Sequence, residues 1–204
     1  TIDNSASSEN LIDFPVLVVL NTSRINYSYT RSGGADIRFI DSDQETALSY
    51  EIEYWNATGE SYIWVKVPQI DAGSETDSIT MYFNNSLAAD AQNASDVWSN
   101  NYIAVYHMNE EPIGANSIID SVSGNNLTSV NMVSGDIMSG VIHRAIDFQG
   151  DNDRVYSVND ITLSGDWTME VWHFDSTNGG HEMIIGQGGS AADRNFWVHS
   201  VDDD

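Results

Sequence analysis

The sequence contains no cysteine, which removes disulfides, thiol nucleophiles and thiolate metal sites together. It is nearly as poor in positive charge. Against 31 Asp and Glu stand 7 Lys and Arg, of which Lys66 is the only lysine. Proteins that grip nucleic acid or an anionic bilayer draw on clustered Lys and Arg, so a chain of formal net charge -24 has neither as an expected partner. Long apolar runs are missing too. The longest, Val16 to Leu20, is far short of the roughly 20 residues that a membrane helix needs, and no direct membrane insertion is expected. The chain opens on Thr1 without a Met or a charged-then-apolar leader, and is expected to be a piece of a longer protein.

What the chain does have is enough apolar matter to fold. At 41% hydrophobic residues and six tryptophans, a chain of 204 residues can bury roughly 70% of its unfolded surface. Asp outnumbers Glu, and Asn, Ser and Thr are abundant. Such a surface stays soluble where salt screens its self-repulsion, which fits an extracellular or cell-surface setting. Six Asn-x-Ser/Thr sequons begin at Asn21, Asn26, Asn56, Asn84, Asn93 and Asn126, so glycosylation is an expectation.

The apolar pattern has period two almost throughout, which predicts strands. Val16 to Leu20 is apolar on both faces, as in a central sandwich strand. Ile37 and Phe39 share a face. Tyr50, Ile52 and Tyr54 point one way, with Glu51, Glu53 and Trp55 the other, before a turn at Asn56 to Gly59. In the return strand Ile63, Val65 and Val67 face the core, and Tyr62, Trp64 and Lys66 face out, until Pro68 stops the pairing. Ile79, Met81 and Phe83 form one more strand, and Leu87 to Trp98 is the only plausible helix or linker. A second β unit opens at Tyr102 to His107. Its later strands are expected at Ala145 to Phe148, Arg154 to Val158, Trp167 to Phe174, Met183 to Ile185 and Phe196 to Val198. The fold class is all-β.

Two stretches resemble known families. Phe14-Pro15-Val16-Leu17-Val18, Asp36 to Asp43, Tyr50 to Trp55, Trp64 to Pro68 and Met81 to Asn85 resemble an uncharacterised extracellular domain family, found in large secreted proteins and beside ExbB/TolQ-type proteins. The resemblance covers residues 1–98 and implies an antiparallel β-sandwich. Val105 to Glu110, Asp120 to Asn126, Ala145 to Asp153 and Trp167 to Trp172 look like the start of a concanavalin A-like, laminin-G-like jelly roll over residues 99–204. That resemblance implies non-catalytic recognition of glycans or proteins, with a structural calcium ion. It places the ion between the Asp120 loop, with Asn125 and Asn126, and the loop of Asp151, Asn152 and Asp153.

Calcium wants six to eight oxygen ligands, which clustered Asp, Asn and loop carbonyls supply. The same residues also populate plain Asx turns, and Asp41 with Asp43 is open to either reading. The five histidines include no HExxH spacing, and His107 reads as a structural strand end. Glu170 and Asp175 fall on opposite faces of their expected strand, so they do not pair as glycosidase acids do. Glu51 and Glu53 share a face that reads as solvated. No nucleophile elbow or phosphate loop occurs, and the expectation is a chain without enzymatic activity. Trp55, Tyr62 and Trp64, on the outward alternation, are the candidate ligand-binding aromatics, unless a second sheet or a neighbouring domain covers them. The leading expectation is a non-catalytic attachment module that binds glycans or surface proteins. The alternative is a structural subunit of a surface filament or layer that self-assembles by strand exchange.

Overall fold

The computed structural model describes residues 1–149, 152–174, 182–187 and 196–200. It divides into two compact units, Thr1–Thr162 and Leu163–Asp204.

The first unit is built of antiparallel sheets. Strand β1 (Leu11–Leu20) leads through two single 3-10 turns to β2 (Arg38–Ile40), β3 (Ala47–Leu48), β4 (Tyr50–Tyr54), β5 (Ser61–Ile70) and β6 (Thr80–Tyr82). One sheet has the order β1-β5-β4 and the other β3-β2-β6. Between them lies a core of Leu20, Ile25, Tyr27, Ile37, Phe39, Leu48, Tyr50, Ile63 and Val65. The alternation of β5 dictates this: Ile63, Val65 and Val67 are buried in turn, each burial stabilising by roughly 2 kcal/mol. Phe39 and Tyr50 meet edge to face across the sheets, with centroids 5.6 Å apart.

Two expectations for these strands are corrected. Strand β5 runs through Pro68 to Ile70, because its pairing with β1 continues to Ile70 while the missing N–H falls, like the Lys66 N–H that reaches Ser49, on the side where β4 has no residue left to pair. In β4 the register against β5 shifts between Ile52 and Tyr54, a β-bulge. One extra residue reverses the alternation beyond it. Tyr54 therefore pairs with outward-facing Tyr62, whereas Trp55 turns inward, edge-on to Tyr27 at 5.2 Å. Gly34 makes room for that indole. A Cβ there would lie 2.7 Å from the Trp55 ring, and φ is +73°.

The expected helix or linker shortens to one turn, α1 (Ala94–Val97), capped by the Asn93 side chain accepting from the Asp96 N–H. Residues beyond it build β7 (Leu127–Val130), β8 (Ile137–Ser139), β9 (Arg144–Ile146) and β10 (Arg154–Ser157), paired β7 with β10 and β8 with β9. The strand expected at Tyr102 to His107 is only a bridge from Tyr106 to Asp120. Ile118, Leu127, Met132 and Ile146 form a second small core, joined by Tyr106, Met108 and Val155. In the second unit β11 (Glu182–Gln187) pairs antiparallel with β12 (Phe196–Ser200). The segment expected as a strand at Trp167 to Phe174 is irregular instead. Its Glu170 is exposed, and Asp175 lies outside the described residues. No helix among the described residues is long and apolar enough to cross a membrane.

Candidate functional site

The outer face of β4 and β5 carries the densest polar chemistry of the first unit. Glu51 and Glu53 project from it on either side of the His107 ring. Glu51 Oε2 lies 3.2 Å from Nε2 and Glu53 Oε2 lies 3.3 Å from Nδ1. The expectation of a solvated acidic face is thereby corrected. The side chains are only 14%, 2% and 12% exposed for Glu51, Glu53 and His107, because the segment after α1 folds over the sheet.

Each carboxylate is held by further donors. Trp98 Nε1 donates to Glu51 Oε2 at 2.7 Å and Ser121 Oγ to Glu51 Oε1 at 2.6 Å. Trp64 Nε1 donates to Glu53 Oε2 at 2.7 Å, and the Asn109 amide approaches the Glu53 carboxylate and backbone oxygen at 3.5 Å. Trp64, Trp98 and His107 form an aromatic cluster with centroids 5.2–6.2 Å apart. Glu51 and Trp64 share this face because they are direct cross-strand partners of β4 and β5.

The electrostatics follow from this wiring. Burial opposes the charge on His107, but the Glu51 hydrogen bond and the charges of Glu51, Glu53 and Glu110 outweigh it and raise the imidazole above its ordinary range. Burial likewise opposes the Glu51 carboxylate, yet the His107 contact and the Ser121 and Trp98 donors bring it below the usual value. For Glu53 burial prevails and the carboxyl is raised. The arrangement is not a nucleophilic triad. Ser121 donates to Glu51, not to His107, so the imidazole has no hydroxyl proton to remove.

The expected ligand-binding aromatics divide between two faces. Trp55 packs against the sandwich core. Trp64 belongs to the buried cluster. Tyr62 remains at the surface, its hydroxyl donating to Glu60 at 2.8 Å. It has company that sequence reasoning missed. Through the bulge Tyr54 joins the outer face and stacks on His143, with centroids 3.4 Å apart at 14°, and Tyr62 lies 6.4 Å from the same ring. His143 belongs to the β8–β9 turn, at φ +58°. Burial and then the Arg144 charge keep its imidazole below the ordinary range. Beside it lies an open hollow of about 400 Å³ lined by Ile137, Met138, Ser139, His143 and Arg144.

The expected calcium loop is wired differently. The Asp120 carboxylate accepts from the backbone N–H of Val105, Val122, Ser123 and Asn125 and from Ser123 Oγ. Five donors fill the roughly four lone-pair sites of a carboxylate. Asn126 Oδ1 accepts from the Asp120 N–H and the Asn125 amide donates to Ser123 Oγ. These residues do not fit a calcium ion as arranged. Asp153 is described, whereas Asp151 lies outside the described residues. Among the described residues no cluster of three His, Asp or Glu is disposed to hold a metal. Asp43 is similarly engaged, accepting from Glu45 N, Thr46 N and Thr46 Oγ1.

The same turn chemistry explains much of the sequon pattern. Asn21, Asn26 and Asn56 each accept, through Oδ1, from both the N–H and the hydroxyl of the Ser or Thr two residues on. Asn93 accepts from the Ser95 hydroxyl, and Asn84 holds φ +75°.

Residues 33–130 match a family described as a domain of unknown function (DUF2341). No curated protein and no solved structure gives a match. The matched stretch includes the sandwich-core residues from Ile37 to Val65, the Glu51–His107–Glu53 cluster and the Asp120 turn, so it is residues 33–130 that are similar to this uncharacterised domain family.

Proposed function

We propose that the chain is a non-catalytic recognition module of a larger extracellular protein, contacting glycans or surface proteins through the face formed by Tyr54, Tyr62 and His143. One observation carries this reading. The bulge in β4 brings Tyr54 out beside Tyr62, and both rings lie against His143, which lines a hollow that supplies Ser139 and Arg144 as polar groups. Stacked rings beside a few hydrogen-bonding side chains suit the faces of sugars and amphipathic side chains. The general acid–base inventory of Glu51, Glu53 and His107 supports the same conclusion, since its polar atoms are committed to one another and to Trp, Ser and Asn donors. A glycan panel followed by calorimetry tests it. Tyr62→Ala and His143→Ala should each weaken the ligand at least about tenfold at unchanged melting temperature; retention of affinity in both variants overturns the assignment.

A second reading, self-assembly by strand addition, has its own observation. Strand β1 is the outer strand of its sheet and carries exposed Ile12 and Phe14, whereas the β4 edge is covered by the Gln92 side chain and the Asn93 N–H. Light scattering over a dilution series separates the two. A monomer at every concentration removes the assembly reading, and particles that persist on dilution support it.

A further inference from the structure

The geometry points to a proton-operated latch, in which His107 as imidazolium, held between Glu51 and Glu53, fastens the segment 102–121 onto the β4–β5 sheet. The argument rests on donor counting. A neutral imidazole has one N–H and one acceptor lone pair, and an ionised carboxylate only accepts. Both ring nitrogens here face a glutamate oxygen, at 3.2 and 3.3 Å. With two carboxylates in place the contacts are satisfied together only if both nitrogens carry protons. Loss of one proton leaves a nitrogen lone pair against a carboxylate oxygen in a site from which water is largely excluded, a repulsive contact.

The surroundings agree with a cation at this point. From β4 the ring faces Glu51 and Glu53, from its own segment Glu110, and from β5 and the end of α1 the neutral rings of Trp64 and Trp98. The neighbouring cation on β5, Lys66, is engaged by Asp96 at 3.0 Å. Glu110 donates nothing to the ring but adds negative charge, with one oxygen accepting from the Ile119 N–H and the other buried without a hydrogen bond. The latch also spans a long loop, since Glu51 reaches His107 and Ser121 at sequence separations of 56 and 70. Its release would free the segment from the sheet without touching the sandwich core.

The sign is fixed by the direction of titration. A histidine raised on folding contributes stability that is complete below its unfolded value of about 6.5, and that contribution is lost as pH rises through the folded value. The test is nitrogen-15 NMR of the intact chain from pH 5 to 9.5, with hydrogen exchange followed in parallel. The expected result is a His107 ring with both nitrogens protonated at pH 7 and a midpoint above 6.5. Exchange of residues 102–121, corrected for intrinsic chemistry, should accelerate about tenfold across that midpoint while Ile63 and Val65 stay protected. His107→Gln should abolish the acceleration. A neutral ring at pH 7, or exchange in 102–121 that ignores pH, overturns the proposal, and both are read on the unmutated chain whether or not the variant folds.

Discussion

The two faces of the β4–β5 sheet solve the same problem by different means. Inward, Tyr50, Ile52, Ile63 and Val65 meet the second sheet through apolar contact, which is roughly proportional to area and indifferent to direction. Outward, Glu51, Glu53 and Trp64 meet their cover through hydrogen bonds and ion pairs of fixed geometry. The inner face is robust because each contact contributes independently. The outer face is specific because each group answers to several others, and removing one strands its partners.

That contrast can be broken in several ways. Glu51→Ala should have the largest effect, destabilising by about 4 kcal/mol in urea titrations, since it strips the partner from His107 Nε2, Trp98 Nε1 and Ser121 Oγ. Ile63→Ala should follow at about 3 kcal/mol through a cavity in the core, with a deficit that does not vary between pH 5 and 9. Trp98→Phe removes the N–H to Glu51 and leaves a small cavity where the second ring was, and should lower stability by about 2 kcal/mol. Lys66→Met should change it by less than about 0.5 kcal/mol, because the pairing Asp96 is partly exposed.

The pH profile sharpens the comparison further. Glu51 is lowered on folding, so its contribution is present above the ordinary carboxylate range and disappears as pH falls through its folded value. His107 is raised, and its contribution disappears on the alkaline side; Glu53, raised by burial, likewise loses stability as pH rises through its own titration. Melting temperature should therefore peak in mildly acidic solution and decline toward pH 9. Glu51→Ala should flatten that profile, while Ile63→Ala should shift it down intact.

The alternating strands β1 and β5 are legible because burial on a sheet has period two, and β5 reads correctly residue by residue through Val67. The outward turn of Tyr54 is not, because the bulge arises from the match of β4 to β5 and not from any residue within β4. Glu51 and Glu53 look solvated for a related reason. Their cover comes from His107, Asn109 and Ser121, more than fifty positions away, and local pattern carries no information about it. The aspartates of the Asp120 loop read equally as ligands or turn formers, and only the count of donors around Asp120 distinguishes the two.

The polar outer face also bears on the order in which the chain is made. At roughly 5–20 residues added per second, synthesis of the β4–β5 hairpin is complete several seconds before Ser121 exists. An apolar outer face would wait through that interval as a sticky surface. Glutamates can wait hydrated, so the nascent sheet stays soluble until its own lid arrives and desolvates them.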